Sequence, residues 1–174
     1  YAGNQANLPT KLNCKYKFFK CDISNQVKLT SILMDFKPDR IINFAAESHV
    51  DRSINDSRPF IISNVLGTHS LLEASRVLYN SYDKVKKKRF RILHISTDEF
   101  YGDIASPNCS KEGDQYQPNS PYAASKAASD QLVHAWIKTY SLPIITTHCC
   151  NNFGPFQLPE KLIPLVILNA IEHK

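Results

Sequence analysis

The sequence predicts an α/β fold, a doubly wound parallel sheet, and three observations carry that expectation. Short apolar runs of strand length alternate with longer segments of helical spacing along the whole chain. At 174 residues and 43% hydrophobic content, the chain suits one ordinary globular core and is too apolar to be disordered. No internal repeat or low-complexity stretch offers a competing architecture.

Taken in order, Tyr16 to Cys21 reads as a first strand. Ser24 stands at an N-cap position ahead of Val27, Leu29, Ile32, Leu33 and Phe36, a helical pattern that Pro38 ends. Arg40-Ile41-Ile42-Asn43-Phe44 is the second strand, and Phe60 to Tyr79 follows with a long helical spacing. Phe90 to Ile95 is the third strand, and a polar loop runs from Asp103 to Asn119. Asn119-Ser120-Pro121 can cap and start a helix over Tyr122 to Tyr140. Pro143 to His148 is the fourth strand, and Lys161 onward is helical again. Strict alternation implies parallel strands, right-handed crossovers and helices on both faces.

Composition excludes several functions. The net charge of +5 owes much to Lys84-Val85-Lys86-Lys87-Lys88-Arg89, but no aromatic residues interleave with those charges as a nucleic-acid stacking surface requires. That run is read as a solvated loop before a buried strand. The five cysteines (Cys14, Cys21, Cys109, Cys149, Cys150) form no C-x-x-C pair and are expected to be reduced thiols. The six histidines show no metal-ligand spacing, so no metal is expected, and His94 is read as packed and hydrogen-bonded within its strand. Asn55-Asp56-Ser57 and Asn108-Cys109-Ser110 match the glycosylation sequon by chance. No run approaches the ~20 apolar residues of a membrane span, and the chain is read as cytoplasmic. It starts at Tyr1 without an initiator Met and stops inside a helical pattern, so it is expected to be truncated at both ends.

In an open parallel sheet, ligands bind beyond the carboxyl ends of the strands. Here those positions are Asp22, then Ala45-Ala46-Glu47-Ser48, then Thr97-Asp98-Glu99, then Asn151-Asn152, all small or hydrogen-bonding. A Tyr-x-x-x-Lys pair on a helix puts a phenol and an ammonium on one face, where the positive charge is expected to lower the tyrosine pKa and make it a usable base. The chain holds three such pairs, Tyr16/Lys20, Tyr82/Lys86 and Tyr122/Lys126. The first falls in the expected strand and the second in the basic run; only the third starts a clear helix. Asp98 and Glu99 are adjacent carboxyls after a buried strand, able to divide acid and base work if their environments differ. An acidic turn would look the same in isolation; Thr97 and Tyr122/Lys126 make the catalytic reading the better one.

Together Phe44-Ala-Ala-Glu-Ser-His-Val-Asp-Arg-Ser53, Ile95-Ser-Thr-Asp-Glu-Phe-Tyr-Gly102, Ser120-Pro-Tyr-Ala-Ala-Ser-Lys126, Asn151-Asn-Phe-Gly-Pro155 and Pro159-Glu-Lys-Leu-Ile-Pro164 give the chain its family character. It resembles the dTDP-glucose 4,6-dehydratases, members of the extended short-chain dehydrogenase/reductases with a Rossmann-like domain. UDP-glucose 4,6-dehydratases share the Asp-Glu pair; Glu47-Ser48-His49 and Tyr1-Ala-Gly-Asn4 look more like the dTDP enzymes. The resemblance implies NAD as cofactor, a nucleotide-sugar substrate, and Thr97, Asp98, Glu99, Tyr122 and Lys126 as the catalytic set. It implies Asp22, Ile23, Phe44, Ala45, Ala46, Glu47, Ser48, Ser63, Asn152, Tyr122 and Lys126 around the cofactor. Ser48, Thr97, Asn151, Lys161 and Leu162 would face the substrate. Phe100 and Ser63 depart from the family pattern, where Val and Thr are usual. The resemblance also implies a homodimer of the full-length parent, formed through the two long helices.

Chain 1–174 is thus expected to be a partial NAD-binding domain without the first βαβ phosphate-binding unit and the C-terminal substrate domain. Its five glycines form no G-x-x-G-x-x-G turn, and the isolated chain is expected to bind NAD weakly and turn over little. An epimerase of the same fold and a non-catalytic nucleotide-binding protein are the competing classes. The intact Asp98-Glu99 pair argues against the first, and the intact Tyr122/Lys126 pair against the second.

Overall fold

The computed structural model describes Asn7 and residues 16–173, and the described chain divides into two compact units. The larger, Phe19–Cys150, contains a parallel three-stranded sheet in the order β1 (Arg40–Asn43), β2 (Arg91–Thr97), β3 (Ile144–Cys149). Ile41, Ile92 and Ile144 share one row of that sheet, and Ile42, Leu93 and Ile145 share the next.

The first of those rows faces the core. Ile92, Phe90, Leu33, Leu71, Ala74, Leu78 and Tyr82 form a buried cluster, with Ile41 and Ile144 packed against it. Burying Leu78, Phe90 and Ile92 contributes about 2 kcal/mol each. A slip of one residue in β2 would exchange that set for Leu93 and Ile95, so burial fixes the register. The neighbouring row is far more open, with Ile42 57% and Ile145 56% exposed. Helices were expected on both faces; within this unit the buried cluster lies on one.

That cluster is closed by α1 (Gln26–Phe36) and α4 (Gly67–Ser81), which pack on each other, and α4 also meets α6 (Pro121–Tyr140). The cap of α1 is Asn25 rather than Ser24: Asn25 accepts from the Lys28 N–H, while the Ser24 N–H and hydroxyl both donate to Asp22 Oδ1. The helix ends at Lys37, which takes a left-handed conformation one residue before Pro38. The long helix expected from Phe60 to Tyr79 is composite. A turn, α3 (Arg58–Phe60), runs into a π-helical segment, Ile61–Leu66, and then into α4. Gly67 is required at that joint, because a Cβ there would sit 2.5 Å from Ile23 Cγ2.

Two further expectations fail. Tyr16 to Cys21 is not a strand, and Tyr16 and Phe18 are 61% and 66% exposed. A strand needs a ladder partner, and no described strand pairs with this segment. The described strands are therefore three rather than four. The basic run is not a loop but a short helix, α5 (Lys84–Arg89), started by Asp83, whose side chain accepts from the Lys86 N–H. Its lysines stay on the surface, so the solvated part of that expectation stands.

The smaller unit combines Tyr1–Phe18 with Asn151–Lys174. Within it α7 (Leu162–Ile171) starts after Lys161 and is strongly apolar. No helix among the described residues is long and apolar enough to cross a membrane, and no disulfide joins the described cysteines. The motif residues Tyr1 to Asn4 and Cys14 lie outside the described residues.

Candidate active site

The site forms where β2 ends. The ladder runs on past Thr97 through the Asp98 N–H, which donates to the Cys149 carbonyl at 3.2 Å. The chain then turns through one 3₁₀ turn, Glu99–Tyr101, in which the Glu99 N–H reaches Thr97 Oγ1 at 3.3 Å. Phe100 is fully buried and pins that turn, its ring against those of Tyr116 (4.1 Å between centroids) and His148 (4.9 Å). The departure from Val thus fills an aromatic cluster. Gly102 closes the turn at φ +80°, with the Gln117 carbonyl too close to admit a Cβ. With Phe100 inward, Thr97 is buried, Asp98 half-buried and Glu99 exposed, so the two acids occupy different environments.

The other half of the site comes from the start of α6. Ser120 caps the helix by accepting from the Ala123 N–H at 3.0 Å, and Pro121 sits in its first turn. The Tyr122 N–H, otherwise unpaired at a helix start, donates to Ser53 Oγ at 3.1 Å. Ser53 belongs to α2 (Val50–Asn55). Tyr122 and Lys126 are both buried, 7% and 4% exposed. Phe60 packs edge-on to the Tyr122 ring.

The electrostatics contradict one expectation. Burial raises the Tyr122 hydroxyl to about 12, the Glu99 carboxylate adds to the rise, and only the Thr97 hydrogen bond works downward before Asp98 raises it again. Lys126 does not acidify Tyr122 here, because its Nζ donates to the Ile95 carbonyl at 2.8 Å and burial lowers its own pKa to about 8. Desolvation outweighs the pair's mutual effect. The other two Tyr/Lys pairs are structurally distinct. Tyr16 and Lys20 lie in irregular chain. Lys86 sits 5.3 Å over the Tyr82 ring, while the Tyr82 hydroxyl donates to the Pro38 carbonyl.

The loop after β1 is fixed from two sides. Asn43 Oδ1 accepts from the Ala45 N–H, and Asn43 Nδ2 lies 3.2 Å from His94 Nδ1. Asn64, buried in the π-helical segment, clamps both backbone groups of Glu47 at 2.9 Å and reaches Ser125 Oγ at 2.8 Å. Ser125 in turn donates to the Tyr122 carbonyl. Asn64 and Ser125 thus join the 44–48 loop to α6, Ser53 joins α2 to it, and none was found from sequence. Their one signal was Asn64 inside a helical pattern, a residue type that disfavours helix interiors unless its side chain is used.

Phe44, Ala45, Ala46 and Ser48 are exposed at the β1 edge, Glu47 is half-buried, and Ser63 is half-buried in the π-helical segment. Asp22 is exposed, its pKa lowered by the Ser24 hydroxyl and then by the Ser24 amide. It does not follow a strand, and Ile23 beside it packs on the core. Asn151, Asn152, Lys161 and Leu162 belong to the smaller unit, where Asn152 lies in the 151–157 segment and Lys161 precedes α7. His94 is buried with Nδ1 paired, but its Nε2 takes no hydrogen bond from the described residues, so only half of its expected pairing is present. Burial, then Lys126, lowers it to about 3 and keeps the ring neutral. No cluster of potential metal ligands occurs among the described residues.

Comparison with known proteins places this geometry. The chain is 47% identical to the dTDP-glucose 4,6-dehydratase of Salmonella typhimurium (strain LT2), over 100% of its own length and 51% of the relative's. A crystal structure of DesIV, a dTDP-glucose 4,6-dehydratase from Streptomyces venezuelae with NAD and TYD bound, superposes with a TM-score of 0.77 at 44% identity. The match covers 88% of this chain and 44% of that one. The UDP-glucose 4-epimerase of Thermus thermophilus, in complex with NAD, gives a TM-score of 0.81 at 27% identity, over 97% and 50% of the two chains. The epimerase fits at least as well in shape, so fold alone does not choose the reaction; sequence identity separates the two. The chain spans about half the length of the curated relatives it matches. The profile of the family described as GDP-mannose 4,6 dehydratase matches residues 1–174, and this Rossmann-type α/β chain belongs to that family.

Proposed function

We propose that the chain is a partial NAD-binding domain carrying the catalytic set of a dTDP-glucose 4,6-dehydratase, which converts the glucose nucleotide to its 4-keto-6-deoxy product. The observation that carries this reading is the grouping at the end of β2: Thr97 hydrogen-bonds the Tyr122 hydroxyl, and the Glu99 and Asp98 carboxylates lie within reach of it by charge. An epimerase needs a base for the C4 hydroxyl but no second acid and base for eliminating water.

The residues fit a dinucleotide. Both Ser24 bonds fall on Asp22 Oδ1, leaving Oδ2 to accept from an amino group such as that of adenine. Small residues line the exposed β1 edge held by Asn64, and Lys126 supplies a buried donor beside Tyr122. Asp22, Ile23, Phe44 to Ser48, Ser63, Asn152, Tyr122 and Lys126 would hold the cofactor. Ser48, Thr97, Asn151, Lys161 and Leu162 would meet the nucleotide sugar. NAD, when bound, would supply the hydride acceptor for C4 and the hydride source for C6.

Tyr122 takes the proton of the C4 hydroxyl while the Thr97 hydroxyl steadies the phenolate. A phenol at about 12 is a poor source of phenolate, and two negative carboxylates keep it so. Asp98 in its protonated form removes one of those charges, which favours the Tyr122 phenolate and readies Asp98 as an acid. The new 4-keto group acidifies the C5 proton, and Glu99, the more exposed carboxylate, removes it. Asp98 gives its proton to the C6 hydroxyl as it leaves as water, and Glu99 gives its proton back to C5 as C6 is reduced.

In the longer enzyme, Tyr122→Phe is expected to abolish C4 oxidation, whereas Glu99→Gln is expected to block chiefly the loss of water. Product formation and solvent-hydrogen incorporation at C5 read the two steps separately. An unchanged overall rate in Glu99→Gln would refute the role assignment. The 174-residue chain alone has no glycine-rich phosphate turn, and we expect it to bind NAD weakly; forming 4-keto-6-deoxy product from NAD⁺ and dTDP-glucose at ordinary enzymatic rates would contradict that. We place the parent in the cytoplasm as a homodimer paired through α4 and α6.

A further inference from the structure

We propose that Asp130 is a positioning residue: its buried carboxylate, one helical turn beyond Lys126, sustains the Lys126 ammonium, while the Tyr116 hydroxyl holds that carboxylate in place beside the His148 imidazole. Nothing in the dehydratase mechanism above uses Asp130, yet it is only 7% exposed, and a buried acid without a task is costly.

Residues four apart on a helix lie on one face, so Asp130 and Lys126 are neighbours on α6. Asp130 Oδ2 accepts a short hydrogen bond, 2.5 Å, from the Tyr116 hydroxyl. Tyr116 is the donor, because burial and then that same bond push its pKa well above the ordinary value and the phenol keeps its proton. His148 Nε2 lies 3.6 Å from the same oxygen, and its Nδ1 lies 2.8 Å from the Tyr101 hydroxyl. Burial raises Tyr101 as well, so its hydroxyl is kept. The Tyr116 hydroxyl is a neutral donor, so it fixes the carboxylate without cancelling its charge.

The charge has one evident use. Burial works to strip the proton from Lys126, and the field of Asp130 is the largest influence working the other way, with Cys149 on β3 assisting. His94, on β2, is neutral and adds no charge. Tyr122, on the same helix, keeps its phenol proton over the same range. Without Asp130, the ammonium would therefore be lost closer to neutral pH. The catalytic consequence, a weaker partner for the Tyr122 phenolate, rests on the dehydratase reading; the charge coupling does not.

Lysine Cε-labelled 174-residue chain, titrated by carbon NMR from about pH 6 to about pH 11, reads Lys126 directly. Its midpoint is expected to fall by about one unit or more in Asp130→Asn and Asp130→Ser, and to be regained in Asp130→Glu. A merely structural role would not make the midpoint follow the charge at position 130. An unchanged midpoint in either neutral variant that keeps the wild-type amide spectrum overturns the proposal, as does failure of Asp130→Glu to restore it. The reciprocal measurement covers the case in which neither neutral variant folds. In Lys126→Met the Asp130 carboxyl must titrate higher by the same amount, because coupling is mutual, and an unmoved carboxyl also overturns the proposal. None of these readouts is turnover, so they stand or fall independently of the reaction assigned above.

Discussion

Replacing Lys126 with Met should make the chain more stable at neutral pH, and the advantage should disappear as the solution is made alkaline. Lys126 is 4% exposed, and its pKa is lowered from 10.5 to about 8, with burial the largest cause. At about 1.4 kcal/mol per unit, carrying the charged ammonium into the fold costs about 3 kcal/mol. The sign follows from proton counts. Below pH 8 both folded and unfolded chains hold the proton, and the full penalty applies. Between 8 and 10.5 the unfolded chain binds more protons than the folded one, so wild-type stability rises with pH. Met removes the penalty but leaves the Ile95 carbonyl without the Nζ donor, a loss of about 1 kcal/mol. The expected gain near pH 7 is thus about 2 kcal/mol, shrinking to about zero near pH 10, where the remaining ammonium penalty of about 1 kcal/mol is offset by the lost hydrogen bond. Urea unfolding followed by the fluorescence of Trp136, the single tryptophan, measures both proteins across that window. A stability difference that stays constant with pH would refute the desolvation argument, because every other titrating group is shared by the two chains.

Three further outcomes follow from particular contacts. Asn64→Ala removes the partner of both Glu47 backbone groups and of Ser125, and should cost about 2–5 kcal/mol; amide hydrogen exchange at Glu47 should rise more than in the core strands. Gly67→Ala places a methyl 2.5 Å from Ile23 Cγ2 and should destabilise by about 1–2 kcal/mol despite better helix propensity. Adding Ile23→Ala should recover part of that loss, and strict additivity in the denaturation cycle would show that the clash is not the cause. His94, lowered to about 3 by burial, should show no ring titration in proton NMR between about pH 5 and about pH 8; a midpoint near 6.5 would mean that the ring is hydrated.

The sequence by itself determined the elements whose causes are local. Asn119-Ser120-Pro121 places a cap and a proline at the start of α6, so Tyr122 and Lys126 fall in its first turns. The short apolar run through Ile92, Leu93, His94 and Ile95 marks β2, and the residues at its end, Thr97 to Glu99, lie where an open parallel sheet binds ligands. Asp83 ahead of Lys84 is an equally local signal for α5, but the density of like charge masked it. Tertiary structure decided the rest. Tyr16 to Cys21 has strand-like residues but pairs with no described strand, and a ladder cannot be made from one side. The direction of the Tyr122 shift depends on how much water burial removes, which spacing along a helix does not encode. Asn64 meets Glu47 and Ser125 across 17 and 61 residues, and Asp130 gathers Tyr116 and His148 from separate segments. A side chain's field reaches whatever the fold places beside it, so the residues proposed as catalytic are named by sequence motif, whereas the groups that hold and charge them became visible only in three dimensions.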